Sequence, residues 1–319
     1  MEVVLGFDTS CYTTSVAAVD RDGRVLGSQR MLLPVESGKR GLRQSEAVFA
    51  HVRQLPLVAR ELGQRLEPLS PRICAVAASA SPREDGDSYM PVFLAGLGQG
   101  KALAALLGVP CYECSHQQGH IAAGQLGNPP LGERFVALHL SGGTTEMLLS
   151  SQGKLTLLGG SLDLQAGQLV DRVGVALGLP FPAGPELEKL ALACQEPSAR
   201  LLPVSFAKDG LSCHLSGAET QCQRWIAVGE MPQERIALEV FDFLARTVAR
   251  LLIAGCKQEE TAQALVVGGV ASSLLLRELL DRRLRKAGSA LKAVFGKPEF
   301  SADNAAGVAF LGARRHWGI

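Results

Sequence analysis

Aromatic side chains are scarce in this chain. They make up 5% of 319 residues, with two tryptophans and three tyrosines, against 47% apolar residues in total. A core built from such a sequence must be aliphatic, filled by Leu, Val and Ala. Charge of one sign is missing too: the formal net charge is +1, which excludes a global basic field for nucleic acid. An RNA substrate would need a local basic patch or a partner protein to supply affinity. Long uncharged apolar runs are absent, so no segment reads as a membrane span. Glu2 and Asp8 interrupt the first apolar run and no basic leader precedes it, which argues against a secretory signal. Eight cysteines are present, but their spacing is too irregular, and the chain too long, for a small disulfide scaffold. A reduced, soluble, cytoplasmic protein is expected, of a length that suits two domains.

Glycine is plentiful, at 35 residues, and many glycines fall at strand ends. Apolar patterning predicts strands at Val3–Thr9, Thr13–Val19 and Arg24–Leu33, with a hairpin turn at Asp20–Gly23. A helix over Ser45–Leu66, a strand at Ile73–Ala78, a helix over Val92–Leu107 and a short strand at Pro110–Cys114 follow. The pattern then restarts with strands at Phe135–Leu140, Thr145–Ser150 and Lys154–Gly159. Helices are expected over Ala166–Leu177, Pro185–Cys194 and Pro232–Cys256, then a strand at Ala264–Val267 and a helix over Ser272–Lys286. A last strand, Ala293–Phe295, precedes a helix over Asp303–His316. Three strands followed by helix–strand–helix, occurring twice, is the duplicated layout of the actin and sugar-kinase superfamily. The expected class is therefore α/β, an actin-like ATPase fold with two duplicated domains flanking a nucleotide cleft. Residues 1–112, completed by a C-terminal helix at 304–319, form the first domain; residues 113–303 form the second, carrying the metal and nucleotide site.

Several short motifs carry chemistry. His116 and His120 head a segment that reads as helix, where residues four apart share one face and two imidazoles can bind one divalent metal. Alternatively, they are two polar residues on a solvated face. Asp303, in Ser301-Ala-Asp-Asn304, either caps the last helix or completes a site of two histidines and one carboxylate. Asp8, Thr9 and Ser10 sit near the first hairpin turn, where a carboxylate and two hydroxyls can contact a phosphate or a metal-bound water. The counterpart in the second half, Leu140-Ser141-Gly142-Gly143-Thr-Thr145, lets backbone amides approach an anion; the alternative is a tight hairpin. Gly268 and Gly269 pass from strand to helix, a turn that suits a nucleotide lying on the backbone, with Ser273 capping the helix that follows.

Two other patterns mislead. Cys111 and Cys114 have zinc-like spacing, but on a strand they point to opposite faces. Gly96-Leu-Gly-Gln-Gly100-Lys101 is only superficially a phosphate loop, lacking the Ser or Thr after the lysine, and reads better as a helix packed closely on a sheet. Arg277, Arg282, Arg283, Arg285 and Lys286, with Arg314, Arg315 and His316, are charged helix ends and also the best candidates for an RNA or partner contact.

Taken together, these residues resemble the TsaD family of tRNA N6-threonylcarbamoyladenosine transferases across nearly the whole chain. The resemblance runs through Gly6-Phe-Asp-Thr-Ser-Cys11, His116-x-x-x-His120, Leu140-Ser-Gly-Gly143, Ala166-Gly-Gln-Leu-Val-Asp171 and Leu177 to Pro185. It ends with Leu215-Ser-Gly217, Gly268-Gly-Val-Ala271 and Asp303-Asn-Ala-Ala306. It implies one divalent metal, iron or zinc, on His116, His120 and Asp303, and an adenine nucleotide or threonylcarbamoyl-AMP as ligand. Substrate contacts carried over from the family are Leu140, Ser141, Gly142, Gly143, Asp171 and Gly184, with Asp171 accepting from ribose hydroxyls; His139, Gly268, Gly269 and Ser273 are further expected nucleotide contacts. The implied reaction moves threonylcarbamoyl to N6 of adenosine 37 in ANN-decoding tRNA, and no side chain is singled out as general acid or base. TsaB-like and TsaE-like proteins are implied partners, and a homo- or heterodimer is consistent with the pattern.

The chain also departs from the family. Tyr12 and Thr13 replace two acidic residues, Thr144 a histidine, Glu219 a lysine and Ser273 an asparagine; Ser81 to Gly86 replaces a G-P-G-L loop, and the segment between Gly41 and His51 is unlike the family's. Two readings follow: a transferase, or a relative impaired in catalysis that binds nucleotide and metal as a regulatory or scaffolding protein. A metalloprotease is disfavoured because His116-x-x-x-His120 lacks the glutamate of the zinc-protease pattern. A sugar-type kinase would leave the histidine pair without a role.

Overall fold

The structure is a computed structural model that describes residues 1–10, 12–34, 42–84, 90–229, 231–288, 290–303 and 305–319. The chain divides into two compact units, Met1–Asn128 with Glu299–Ile319, and Pro129–Pro298.

The first unit is built on β1 (Glu2–Ser10), β2 (Thr13–Asp20), β3 (Val25–Leu32), α1 (Gln44–Leu66), β4 (Arg72–Ser81), α2 (Phe93–Leu107), β5 (Cys111–Ser115) and α3 (His116–Gln125). The sheet order is β3-β2-β1-β4-β5, antiparallel through β1–β2–β3 and parallel through β1–β4–β5. Strand alternation sorts its side chains. Val3, Leu5 and Phe7 join α1 and α2 in one cluster. Val4, Ala75 and Ala77 join α3 and the last helix of the chain in another. Both faces are covered, so β1 and β2 at the centre are buried nearly end to end.

The second unit repeats the plan with β6 (Arg134–Leu140), β7 (Thr145–Ser151) and β8 (Lys154–Gly160). After them come α4 (Ala166–Ala176), α5 (Gly184–Leu192), the small hairpin β9 (Ser205–Phe206) and β10 (Cys213–His214), and α6 (Ser216–Val228). The second half of the unit is α7 (Gln233–Gln258), β11 (Gln263–Val267), α8 (Leu274–Lys286) and β12 (Lys292–Phe295). The sheet order, β12-β11-β6-β7-β8, has the same mixture of antiparallel and parallel pairs as the first. The core is aliphatic, as the composition requires, with Phe241 and Phe243 of α7 its large aromatic members.

The last helix, α9 (Ala306–Trp317), returns to the first unit. The boundary expected at 112/113 is corrected to Asn128/Pro129. The reason is physical: β5 pairs with β4, and α3 packs on α9, so the histidine helix belongs to the first unit. The glycine turns of the second half lie in the second unit. Three further elements, β9, β10 and α6, have no counterpart in the expected pattern. The described cysteines are free thiols, and among the described residues no helix is long and apolar enough to cross a membrane.

Candidate metal centre and nucleotide pocket

The two imidazoles come from a helix that starts without a connecting loop. Ser115, the last residue of β5, caps α3: its hydroxyl accepts from Gln118 N at 3.1 Å while Gln118 Oε1 accepts from Ser115 N at 2.8 Å. This reciprocal cap fixes His116 as the first helical residue and His120 one turn on. Their Nε2 atoms stand 3.0 Å apart. Asp303 precedes α9, whose N-cap position is Ala305. Its carboxylate meets the histidines, with Oδ1 3.2 Å from His120 Nε2 and 3.7 Å from His116 Nε2. These three donor atoms form a group, mutually within 4.8 Å, of a kind that can hold a metal ion. An ion about 2.1 Å from each donor would space neighbouring donors roughly 3.0–3.4 Å apart. Two of the separations found, 3.0 and 3.2 Å, fall in that range and the third, 3.7 Å, lies just beyond it.

The remaining contacts follow from strand alternation. Asp8 lies on the same face of the first sheet as Val4, the face covered by α3 and α9. It is fully buried; its Oδ1 accepts from Ser79 Oγ at 2.5 Å and lies 3.0 Å from His116 Nδ1. Ser10, two residues on, places Oγ 3.2 Å from Asp303 Oδ2, and Thr13, its partner across the hairpin, stands at 3.5 Å. Thr9 faces the other way: its hydroxyl donates to Val92 O and accepts from Gly96 N, tying α2 to the sheet. Asp8, Thr9 and Ser10 were expected as phosphate or metal-water contacts. All three are buried, because β1 continues through Ser10 rather than ending in an exposed tip, and Asp8 Oδ2 has no hydrogen-bond partner among the described residues. Cys11 and Asn304, within the expected motifs, lie outside the described residues.

Charge reflects this crowding. Burial opposes a proton on His116, but the carboxylates of Asp8 and Asp303 outweigh it and hold its pKa well above the ordinary value. Burial likewise opposes ionised Asp303, yet the two imidazoles keep its carboxyl far below the usual carboxylate range. The site is thus organised to hold positive charge between these groups.

In the second unit, the Ser141–Gly143 turn is held from two sides. Gly167 N donates to Ser141 O at 3.0 Å, and Thr145 Oγ1 accepts from Ala166 N at 2.7 Å, so the turn and the start of α4 are locked together. A Cβ on Gly167 would meet Ser141 O and the Gly142 backbone. Gly268, at φ +99°, passes so close to Leu140 O and the His139 ring that a side chain has no room there. A cavity of about 420 Å³ opens beside these turns, lined by Gly142, Asp171, Gly184, Glu188, Gly269 and Ser273 among others. Asp171 Oδ1 accepts from Ala183 N at 2.8 Å, bracing the loop before Gly184. Ser273 caps α8 as expected, accepting from Leu276 N at 3.1 Å, and Glu188 Oε1 takes Leu275 N at 2.7 Å. His139 and Leu140 are buried in β6 and shape the turn rather than line the cavity.

The misleading patterns resolve as structure. Cys111 and Cys114 join clusters on opposite sides of the sheet. Gly96 and Gly100 let α2 lie against Thr9 and Val76. Arg277 donates to the Ala271 and Gly296 carbonyls, Arg283 pairs with buried Asp242, and Arg282 and Arg285 pair with Glu278 and Asp281 along α8. Arg314 and Arg315 reach backbone carbonyls of Ile319 and Glu113, and His316 meets Tyr112. Arg277 and Arg283 thus hold partners within the fold, while Arg282 and Arg285 pair on the exposed side of α8.

Comparison with known proteins agrees with this construction. A ROK family glucokinase from Streptomyces griseus, solved with glucose and AMPPNP, superposes with a TM-score of 0.54 over 98% of this chain and 99% of its own, at 13% identity. That likeness shows the actin-like ATPase fold and no more. The tRNA N6-adenosine threonylcarbamoyltransferases of Aromatoleum aromaticum and Geobacillus thermodenitrificans are 31% and 32% identical to it, each over 98% of this chain and over 91% and 92% of their own lengths. The family model described as TsaD, tRNA N6-adenosine threonylcarbamoyltransferase, matches residues 38–310, and the chain belongs to that family.

Proposed function

We propose that this protein transfers the threonylcarbamoyl group of threonylcarbamoyl-AMP to N6 of adenosine 37 in tRNA, using a divalent metal, iron or zinc, at His116, His120 and Asp303. The observation that carries the reading is the meeting of two imidazole nitrogens and one carboxylate oxygen within 4.8 Å, in a member of the TsaD family. A divalent ion bound there supplies Lewis-acid polarisation of the carbonyl that the amine attacks. Two histidines and a single carboxylate oxygen leave coordination positions open for substrate and suit either metal.

The other residues bind and orient. The pocket of the second unit takes the adenylate end of the donor. The turn at Ser141–Gly143, which reaches the cavity through Gly142, approaches its phosphate, and Asp171 accepts from ribose hydroxyls with the oxygen not used on Ala183. Gly269 allows the nucleotide to lie against the backbone.

Acceptor binding depends on partners. A near-neutral chain, whose basic helix ends are largely paired internally, has little intrinsic attraction for tRNA. α2 also carries apolar residues on its outward side, with Leu94 at 50% and Leu106 at 87% exposure, as befits a helix covered by another protein. TsaB-like and TsaE-like proteins are the proposed partners, and the cytoplasm, where tRNA is modified, the proposed location.

The test is direct. The protein is incubated with threonylcarbamoyl-AMP and unmodified tRNA, with and without TsaB-like and TsaE-like proteins, and the digested tRNA is read by mass spectrometry. Threonylcarbamoyladenosine at position 37 is the expected product; its absence with both partners present contradicts the reading.

A further inference from the structure

We propose that Asp8 is a positioning residue for the metal, acting through His116, an inference that rests on the reading of the site given above. Its carboxylate is fully buried in a strand, where a charge is costly, and its Oδ2 has no hydrogen-bond partner among the described residues. Stability alone does not favour such a group. What the carboxylate does touch is informative: Ser79 Oγ holds Oδ1 at 2.5 Å, and the same oxygen lies 3.0 Å from His116 Nδ1. An ionised carboxylate only accepts, so His116 must carry its hydrogen on Nδ1. In the neutral ring that ligates a metal, the lone pair is then on Nε2, the atom 3.0 Å from His120 Nε2. A carboxylate behind a ligating imidazole fixes its tautomer and ring plane and makes the ligand nitrogen more basic.

The same hairpin steadies the third ligand. Ser10 Oγ at 3.2 Å from Asp303 Oδ2 turns the opposite oxygen, Oδ1, toward the imidazoles, which makes the carboxylate a one-oxygen ligand. Asp8 and Ser10 are two residues apart on one strand face, so one stretch of β1 sets both outer contacts.

The full-length protein is loaded with cobalt(II), and its affinity and visible d–d spectrum are measured for the wild type, Asp8→Asn and Asp8→Ala, alongside the metal-free melting temperature. The inference predicts affinity weakened by about 10- to 100-fold and a changed cobalt spectrum, with cooperative unfolding kept. Wild-type affinity and spectrum in a folded Asp8→Ala protein overturn it, since a purely structural role moves only the melting temperature. If neither variant folds, ring-nitrogen NMR of the zinc-loaded wild type decides: metal on His116 Nε2 with hydrogen on Nδ1 supports the inference, and metal on Nδ1 overturns it. A wild type that binds neither cobalt nor zinc overturns the reading of the site and this inference with it. Metal bound through Nδ1 of His116 overturns the inference alone.

Discussion

Gly307 of α9 lies with its bare Cα against the carbonyl oxygen of Gly119 in α3, a contact that leaves no space for a side chain on Gly307. Gly119 stands between the two histidines and Gly307 is the second residue of α9, the helix that follows Asp303, so this contact holds together the two helices next to the site. Gly307→Ala is expected to push the helices apart, destabilise the protein by about 1–3 kcal/mol and weaken metal binding. Gly98→Ala, on an exposed stretch of α2 where an added Cβ meets nothing, is expected to stabilise by about 0.5–1 kcal/mol and leave metal binding unchanged. Denaturant titration and metal titration of both variants check the contrast.

His51 makes stability depend on pH. It is fully buried in α1, and its Nδ1 lies 2.8 Å from Thr14 Oγ1, whose own hydrogen goes to Gln54 Oε1 at 2.7 Å. Burial holds the pKa of His51 below its ordinary value, against the pull of Asp8 and of the Ser10 backbone. The unfolded chain takes up this proton near pH 6.5 while the folded chain resists it, so the contribution is present above that pH and is lost as pH falls below it. The stability advantage of wild type over His51→Gln should shrink as pH drops below about 6.5, by at most about 1.4 kcal/mol per pH unit. A difference independent of pH in unfolding titrations would contradict this.

Asp171 separates two roles within one carboxylate. In Asp171→Asn the amide oxygen can still accept from Ala183 N, so the loop should hold while the charge is lost. AMP binding measured by calorimetry is expected to weaken by about 10-fold, with a melting temperature close to wild type. Unchanged affinity would remove Asp171 from the nucleotide site.

Much of this was legible in the sequence because it depends on local pattern. The twice-repeated order of strands and helices follows from apolar periodicity, and His116 and His120 share a face because Ser115 and Gln118 start the helix where the motif begins. That Asp303 is a candidate ligand rather than a cap depends on α9 starting only at Ala306, which short-range pattern does not fix. The contact of Asp8 with His116 was hidden for a different reason. It needs β4 beside β1 and α3 above both, and it was signalled only by Asp8 falling on the strand face of Val4. α6 was not among the expected helices, although Ala218, Cys222, Trp225 and Ile226 stand at helical spacing against the core. The basic residues of α8 looked available for RNA because their partners, such as Asp242 in α7, are distant in sequence.

The central claim is that two imidazoles from α3 and one carboxylate before α9 hold a single catalytic ion. Its most direct test is metal content by mass spectrometry for the wild type, His116→Ala, His120→Ala and Asp303→Ala, each loaded with iron(II) or zinc and desalted. The account predicts one ion per wild-type chain, and its loss from every variant while cooperative unfolding is retained. Folded variants that keep a full complement of metal would contradict it.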